Sequence, residues 1–324
     1  MSDRYARQEI LPEVGREGQA RLAGATVLVV GAGGLGCAVL QYLAAAGVGT
    51  LILVDHDRVE ESNLHRQPLY RMSDLGQPKV QAASAALAAL NPTIHIEAVC
   101  ERLSSVNAAR LVGAANIVVD AADSFAVTYL LSDVCQRAVK ALVSASVVGL
   151  AGYVGAFCGG APSYRAVFPQ LPRNAGSCAE SGVLGTAVGV VGTFEAHFAL
   201  GLLLGWQPSM LGRMLSIDLR TLHVGGFSFA GASEPRGPPI PFIAPVEVES
   251  GDVVIDLRSR AETPVSPFGS ALRIEVEMLE QAPPRFPSAT RVVLCCRSGV
   301  RAWRAAQALR NHGHEKLALI AMGE

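Results

Sequence analysis

Between residues 31 and 79 the chain gathers side chains and turns suited to holding phosphate. The glycine-rich run GAGGLG supplies Gly31, Gly33, Gly34 and Gly36. The apolar run LILVD ends on Asp55, and DHDRVEESNLHRQ then carries Asp57, Asn63, Arg66 and Gln67. GQPK closes the stretch with Lys79. Glycines at the G-x-G-x-x-G spacing permit a tight turn, close backbone approach to phosphate and close packing of helix on strand. The helix that follows presents free N–H groups and the positive end of its dipole to an anion. Asp55 lies at the distance expected for a carboxylate that binds ribose hydroxyls. Arg66 and Lys79 add two cations where a triphosphate has to be gripped, Arg66 as a planar fork and Lys79 as a point charge. A dinucleotide-dependent dehydrogenase has no need of them, so the stretch points to ATP chemistry on an acyl group. As isolated charges, Asp57, Arg66 and Lys79 also fit a turn and a solvated surface.

The elements that must position these residues alternate in type. Short β-branched runs fall at Ala25–Val30, Leu51–Asp55, Ile94–Val99, Asn116–Ala121 and Ala141–Ser146. Helical stretches fall at Leu35–Ala46, Val80–Leu90, Val106–Val112 and Phe125–Val139. Strand–helix alternation of this kind predicts an α/β fold with a Rossmann-like, doubly wound and mostly parallel sheet. From Gly149 the pattern is extended and glycine-rich, and from Val183 helical; Ser216–Leu219 and Thr221–Val224 read as a late hairpin. The stretch GASEPRGPPIPFIAP, Gly231 to Pro245, reads as a linker. A second, smaller α/β pattern follows in VVIDLRSRAE (Val253–Glu262) and VVLCCRSGVRAWRAAQAL (Val292–Leu309). The expected division is residues 1–230, a linker over 231–247, and a short second domain over 248–324.

Composition narrows the functional classes. The formal net charge is −1 with 17% charged residues, so no electrostatic case for nucleic acid exists. The segment Val183–Trp206 is apolar, yet it holds Glu195, His197 and several glycines and reads as a buried core helix rather than a membrane span. Arg4, Arg7 and Glu9 interrupt any apolar leader. Seven cysteines in a chain of this length, without a secretory signal, suit a reducing cytoplasm. Cys37, Cys100, Cys135 and Cys158 read as buried structural thiols.

RYARQEILPEVGREGQARL, GAGGLG, DHDRVEESNLHRQ, GQPKV and SCAESGVLG, in that order and spacing, resemble the MoeB/ThiF/HesA family of adenylating enzymes. The resemblance covers about residues 1–230. It implies ATP- and magnesium-dependent adenylation of the C-terminal glycine of a small ubiquitin-like sulfur carrier protein ending in Gly-Gly. By that resemblance Asn63, Arg66 and Lys79 contact phosphate, Asp55 takes the ribose, and Asp123 in VVDAADS binds magnesium. Arg7 in RYARQ matches an arginine inserted into a partner subunit's site, which implies a homodimer. Cys178 matches a cysteine that bonds covalently to the carrier. Three departures stand out. The usual Asp-Asn pair is Asp123-Ser124, an arginine is replaced by Thr128, and the Cys-x-x-Cys pairs of a structural zinc site are missing. Ser163 and Ala166 stand where the first pair falls, and no structural zinc is expected.

The second pattern resembles a rhodanese, with VVIDLRSRAE as its Asp-x-Arg entry and CRSGVRA (Cys296–Ala302) as its active loop. Successive backbone N–H groups ahead of a helix N-terminus would stabilise a thiolate and then a persulfide anion on Cys296, with Arg297 and Arg301 adding positive charge. Cys295 belongs to the preceding strand. The module is short and stops before the family's usual final helix. These features together predict an adenylyltransferase with sulfurtransferase activity in a molybdopterin, thiamine or tRNA sulfur pathway. A persulfide donor such as a cysteine desulfurase would serve it. An activator for ubiquitin-like ligation or peptide modification, with an idle second module, is the alternative within enzymes. A nicotinamide-nucleotide-binding oxidoreductase and a non-catalytic scaffold are the alternatives from other classes.

Overall fold

A computed structural model describes residues 3–171 and 182–323. Its larger sheet has eight strands in the order β3-β2-β1-β4-β5-β6-β7-β8. The strands are β1 (Thr26–Val30), β2 (Thr50–Val54), β3 (His95–Val99), β4 (Ile117–Asp120), β5 (Ala141–Val148), β6 (Ala151–Cys158), β7 (Arg213–Asp218) and β8 (His223–Ser228). The first five are parallel, with Val27 beside Leu51 and Ile117, and β5 to β8 are antiparallel neighbours. β1, β2 and β4 are apolar at nearly every position because helices cover both faces of the parallel half. This is the doubly wound arrangement expected, and its order reverses beside β1, where such sheets take ligands at the carboxyl ends of their strands.

Two helices build the wall behind that point. Gly34–Ala46 packs on the long helix Gly185–Leu204, and the latter lies over β5 and β6. The long helix is long and apolar enough to cross a membrane, but more than half of it is buried within the protein, as its glycines and Glu195 suggested. Gly192 fits against Leu35, whose carbonyl oxygen a Cβ would approach to 2.8 Å.

A second sheet runs β10-β9-β11-β12, all parallel, from β9 (Val253–Asp256), β10 (Leu272–Arg273), β11 (Val292–Cys296) and β12 (Leu317–Ala321). The proline-rich stretch before it is not a free tether. Ile240, Phe242 and Ala244 are buried, and the backbone of Pro241 and Ile243 bonds to Leu319 at 2.9 and 2.8 Å. Three apolar residues spaced by two turned this segment into an added edge on β12 despite its prolines. Among the free thiols, Cys100 corrects expectation: it is exposed, while Cys37, Cys135 and Cys158 are buried. β3 is an edge strand with half its side chains in solvent, and Cys100 follows it into a surface loop.

Candidate active site

β1 turns sharply at Gly31, where φ is +101° and a Cβ would stand 2.6 Å from the carbonyl oxygen of Ala121. Gly36 sits against the carbonyl oxygen of Gly31, where no side chain fits. These two contacts make the glycine spacing a steric requirement here. Gly33 caps the Gly34–Ala46 helix in extended geometry with no side-chain cap, so the first-turn N–H groups remain open to an anion. Asp55 fixes the turn from the next strand: its Oδ2 accepts from Ala32 N at 2.7 Å and its Oδ1 from Asp57 N at 2.8 Å. A carboxylate has lone pairs beyond those two, so ribose hydroxyls remain within its capacity.

The segment between β2 and the Lys79–Leu90 helix folds back over the turn. Asn63 O accepts from Arg66 N and Gln67 N at 3.0 and 3.1 Å. Gln67 is 3% exposed, and its Nε2 is the atom nearest to where a Gly33 Cβ would lie, at 4.0 Å. Its Oε1 is buried without a hydrogen-bond partner. Such a group costs about 1–3 kcal/mol unless something pairs with it. Arg66 is half-buried and donates to Ser62 O at 3.1 Å and to the His65 ring at 2.9 Å. Lys79 opens its helix and is 6% exposed. Its Nζ donates to Asp57 Oδ2 at 2.9 Å. Burial alone would raise the Asp57 carboxyl, but the Lys79 bond and charge, with His56 and Arg102, hold it below the usual carboxylate range.

Sequence reasoning missed several groups. One ligand atom each from Asp55, His56 and Asp57 lies within 4.8 Å of the others, an oxygen-rich cluster at the mouth of the site. The adjacent letters DHD were the only available signal. Asp120 ends β4 fully buried, and accepts from Ser144 Oγ at 2.9 Å. Burial pushes its carboxyl up to about 6, against opposing hydrogen bonds from Thr128, Ser144 and the Ala122 N–H. Glu195 is wholly buried with both oxygens unpaired, and burial, then the Asp120 charge, raise it well above the ordinary value. Burial likewise pushes the Cys37 thiol beneath the turn up to about 12.

Asp123 lies exposed just beyond Ala121, against which Gly31 packs. The departures beside it are absorbed locally: Thr128 Oγ1 turns back to Ser124 O at 3.2 Å. Arg7 is exposed and is not brought to this site within its own chain. Its neighbour Gln8 bonds to Ala46 O at 3.0 Å, at the far end of the helix that starts at Gly34. Thirteen residues of helix, roughly 20 Å, separate the two ends. Cys178 lies outside the described residues.

At the end of β11, Cys296 Sγ accepts from Gly299 N at 3.1 Å and Ala302 N at 3.4 Å. Gly299, at φ +89°, turns the loop into the helix Val300–Asn311. The thiol is fully buried. Arg301, expected to add positive charge here, is itself paired, because Glu262 meets its guanidinium at 2.5 and 2.9 Å. That pairing holds Glu262 down to about 2. Where a Cys-x-x-Cys pair was missing, Ser163 instead bonds through Oγ and N to Glu234 at 2.6 and 2.7 Å.

A doubly wound sheet with a bare helix N-terminus, an acid on the glycine turn and an orphaned amide over it defines a nucleotide-binding α/β protein. Residues 5–236 match the ThiF family, and the chain belongs to that family. It is 47% identical over 224 residues to a sulfur carrier protein adenylyltransferase of Thermus thermophilus, covering 67% of this chain and 83% of that one. It is 43% identical over 218 residues to the SAMP-activating enzyme E1 of Haloferax volcanii, covering 67% and 81%. The bovine adenylyltransferase and sulfurtransferase MOCS3 is 47% identical over 218 residues, but the match spans only 48% of its length. The fold is shared with E. coli MccB at 22% identity, with a TM-score of 0.63 and 73% of each chain covered.

Proposed function

We propose that the chain adenylates the C-terminal glycine of a small ubiquitin-like sulfur carrier protein and passes persulfide sulfur to the activated glycine. The buried, unpaired Gln67 Oε1 over an uncapped glycine turn carries the nucleotide part of this reading. The names of the Thermus and Haloferax relatives support the carrier. In this reading Gly31, Gly33, Gly34 and Gly36 admit the phosphates, Asp55 the ribose, and Asn63 and Gln67 close over the nucleotide. Arg66 and Lys79 neutralise charge as the carrier carboxylate attacks the α-phosphate and pyrophosphate leaves. Magnesium would supply further neutralisation. Asp123 is the ligand expected for it, and the Asp55–His56–Asp57 cluster offers carboxylate oxygens of the kind it prefers.

The second sheet is proposed as the sulfur donor, a short rhodanese-like unit following the residue 231–247 stretch. A persulfide on Cys296, supplied by a cysteine desulfurase or similar donor, attacks the acyl adenylate. AMP leaves and an acyl–S–S–Cys296 bond remains. Attack on that disulfide by a second thiol, with Cys178 as candidate, releases the thiocarboxylate and leaves a protein disulfide. An external thiol then reduces it. The two N–H donors on Cys296 Sγ support this role. The Ser163–Glu234 pairing supports a loop held together without zinc.

A homodimer completes the reading. The neighbour of Arg7, Gln8, sits at the far end of the Gly34 helix from the glycine turn, which supports action of Arg7 in another copy, and a groove of about 600 Å³ between the Gly34 and Gly185 helices exposes Tyr42 and Val190. Carrier-dependent ATP–pyrophosphate exchange tests the adenylation. Exchange that is absent with every Gly-Gly-ended carrier, or NAD reduction in its place, would overturn it.

A further inference from the structure

The carboxyl ends of the two sheets meet, and one side chain spans them. Arg102, in the loop after β3, donates through one guanidinium nitrogen to His56 Nε2 at 3.0 Å. Through another it donates to Met322 O at 3.2 Å, 220 residues away. Met322 N in turn donates to Cys296 O, and Gly323 N to Arg297 O, each at 2.9 Å. On the other side His56 Nε2 lies 3.6 Å from Asp57 Oδ1, and Asp57 holds Lys79. The Cys296 loop is thus joined through Arg102 to His56, which lies beside Asp57 without a hydrogen bond to it because Arg102 takes the Nε2 lone pair, and Asp57 holds the lysine proposed to grip ATP. The same loop makes a second, separate contact through Ser105, whose Oγ is bonded by Ala244 N at 2.8 Å and meets Glu247.

We propose that Arg102 is a positioning residue that holds the Cys296 loop closed beside the nucleotide site and releases it when ATP takes Lys79. The inference rests on the adenylation reading and adds to it the order of the two reactions. Cys296 is fully buried, so neither a persulfide donor nor the carrier glycine reaches its sulfur while the loop stays closed. A triphosphate outbids one carboxylate for the Lys79 ammonium. Asp57 then loses its cation. Arg102, held against the neighbouring His56 and with its charge already acting on that carboxyl, is the permanent cation at hand to replace it. Moving toward Asp57 costs Arg102 its bond to Met322 O. The strand-end segment that pins Cys296 O and Arg297 O is thereby loosened. Sulfur is exposed only when the site holds the nucleotide that activates its acceptor.

Alkylation of Cys296 by iodoacetamide, followed by peptide mass spectrometry on the full chain, tests this. Each protein is measured without nucleotide and at a MgATP concentration shown to saturate it by its own titration. In the wild type MgATP should speed alkylation of Cys296 by about fivefold or more, the scale of a modest coupling between sites. In Arg102→Ala the rate should be high and indifferent to MgATP, and Arg102→Lys should recover part of the response. Ser105→Ala, which removes the separate contact of this loop to Ala244 and Glu247, should keep the response. A merely structural role for Arg102 would raise the rate but leave the response in place, and that result overturns the proposal. So does saturable ATP binding in the wild type with no change at Cys296, an outcome that leaves adenylation standing. A wild-type chain that binds no ATP overturns the adenylation reading and this inference together.

Discussion

Glu195→Gln should shift stability relative to the wild type by an amount that becomes more favourable as pH rises. The side chain is wholly buried and both its oxygens lack partners. Burial first, and the Asp120 charge second, raise its carboxyl well above 4.5. The folded protein therefore keeps a proton that the unfolded chain has released. Stability from this group is complete below pH 4.5 and is lost as pH rises toward the folded value, at about 1.4 kcal/mol for each unit. Glutamine has the same shape and no such dependence. Asp120 titrates in both proteins and drops out of their difference, apart from its coupling to Glu195. From pH 5 to pH 7 the variant should gain up to about 3 kcal/mol on the wild type. An unpaired amide adds a fixed cost of about 1–3 kcal/mol, so the slope is diagnostic and the offset is not. Urea midpoints at pH 5, 6 and 7 measure it, with the denaturant slope checked for constancy. Stability curves that run parallel across those pH values would refute the argument and place a paired, ionised Glu195 in the fold.

Three further outcomes concern the chemistry. Lys79→Ala should lower carrier-dependent pyrophosphate exchange by about a hundredfold or more, the loss typical of one charge-stabilising contact; exchange near the wild-type rate would remove Lys79 from the mechanism. Mixing Arg7→Ala with Lys79→Ala subunits should restore part of the exchange through hybrid dimers, whereas a fully active monomer by sedimentation would exclude action in trans. Cys296→Ala should abolish thiocarboxylate formation, read by the mass of the carrier, and leave exchange intact; full yield with a limiting physiological sulfur donor would mark the second sheet as idle.

The parts of the site that were legible are local in sequence. A β-branched run, three spaced glycines and an acid one strand later define the turn because sterics at Gly31 and Gly36 act over a few residues. Strand and helix positions were readable for the same reason. What stayed hidden depends on partners far along the chain. The Lys79–Asp57 pair spans 22 residues, the Arg301–Glu262 pair 39, and the Arg102–Met322 bond 220. The motif around Cys296 announced Arg301, but no local rule announces its partner Glu262. Cys100 misled because apolar neighbours such as Val99 read as core, although an edge strand leaves half its residues in water. Nor did the composition of the proline-rich stretch announce that Ile240 and Phe242 are buried.

Several cations of this protein are paired with acids, and one such pair bears on which nucleotide the proposed site would accept. With 17% charged residues and half its residues hydrophobic, the chain sets several of its buried or half-buried cations beside acids. Arg165 meets Asp133 at 2.6 Å, Arg258 meets Asp256 at 2.9 Å, and Lys79 meets Asp57 at 2.9 Å. A ligand that uses Lys79 must first separate it from Asp57 and leave that carboxylate half-exposed. The pyrophosphate of a dinucleotide is satisfied by the glycine turn and the helix N-terminus, and has no surplus charge for this exchange. The third phosphate of ATP supplies one. In the proposed reading the Lys79–Asp57 pair would act as a threshold that a triphosphate crosses and a dinucleotide does not. Asp57→Asn removes that threshold without removing the lysine, and should narrow the preference for ATP over NAD in competitive binding. An unchanged preference would shift the discrimination to Arg66.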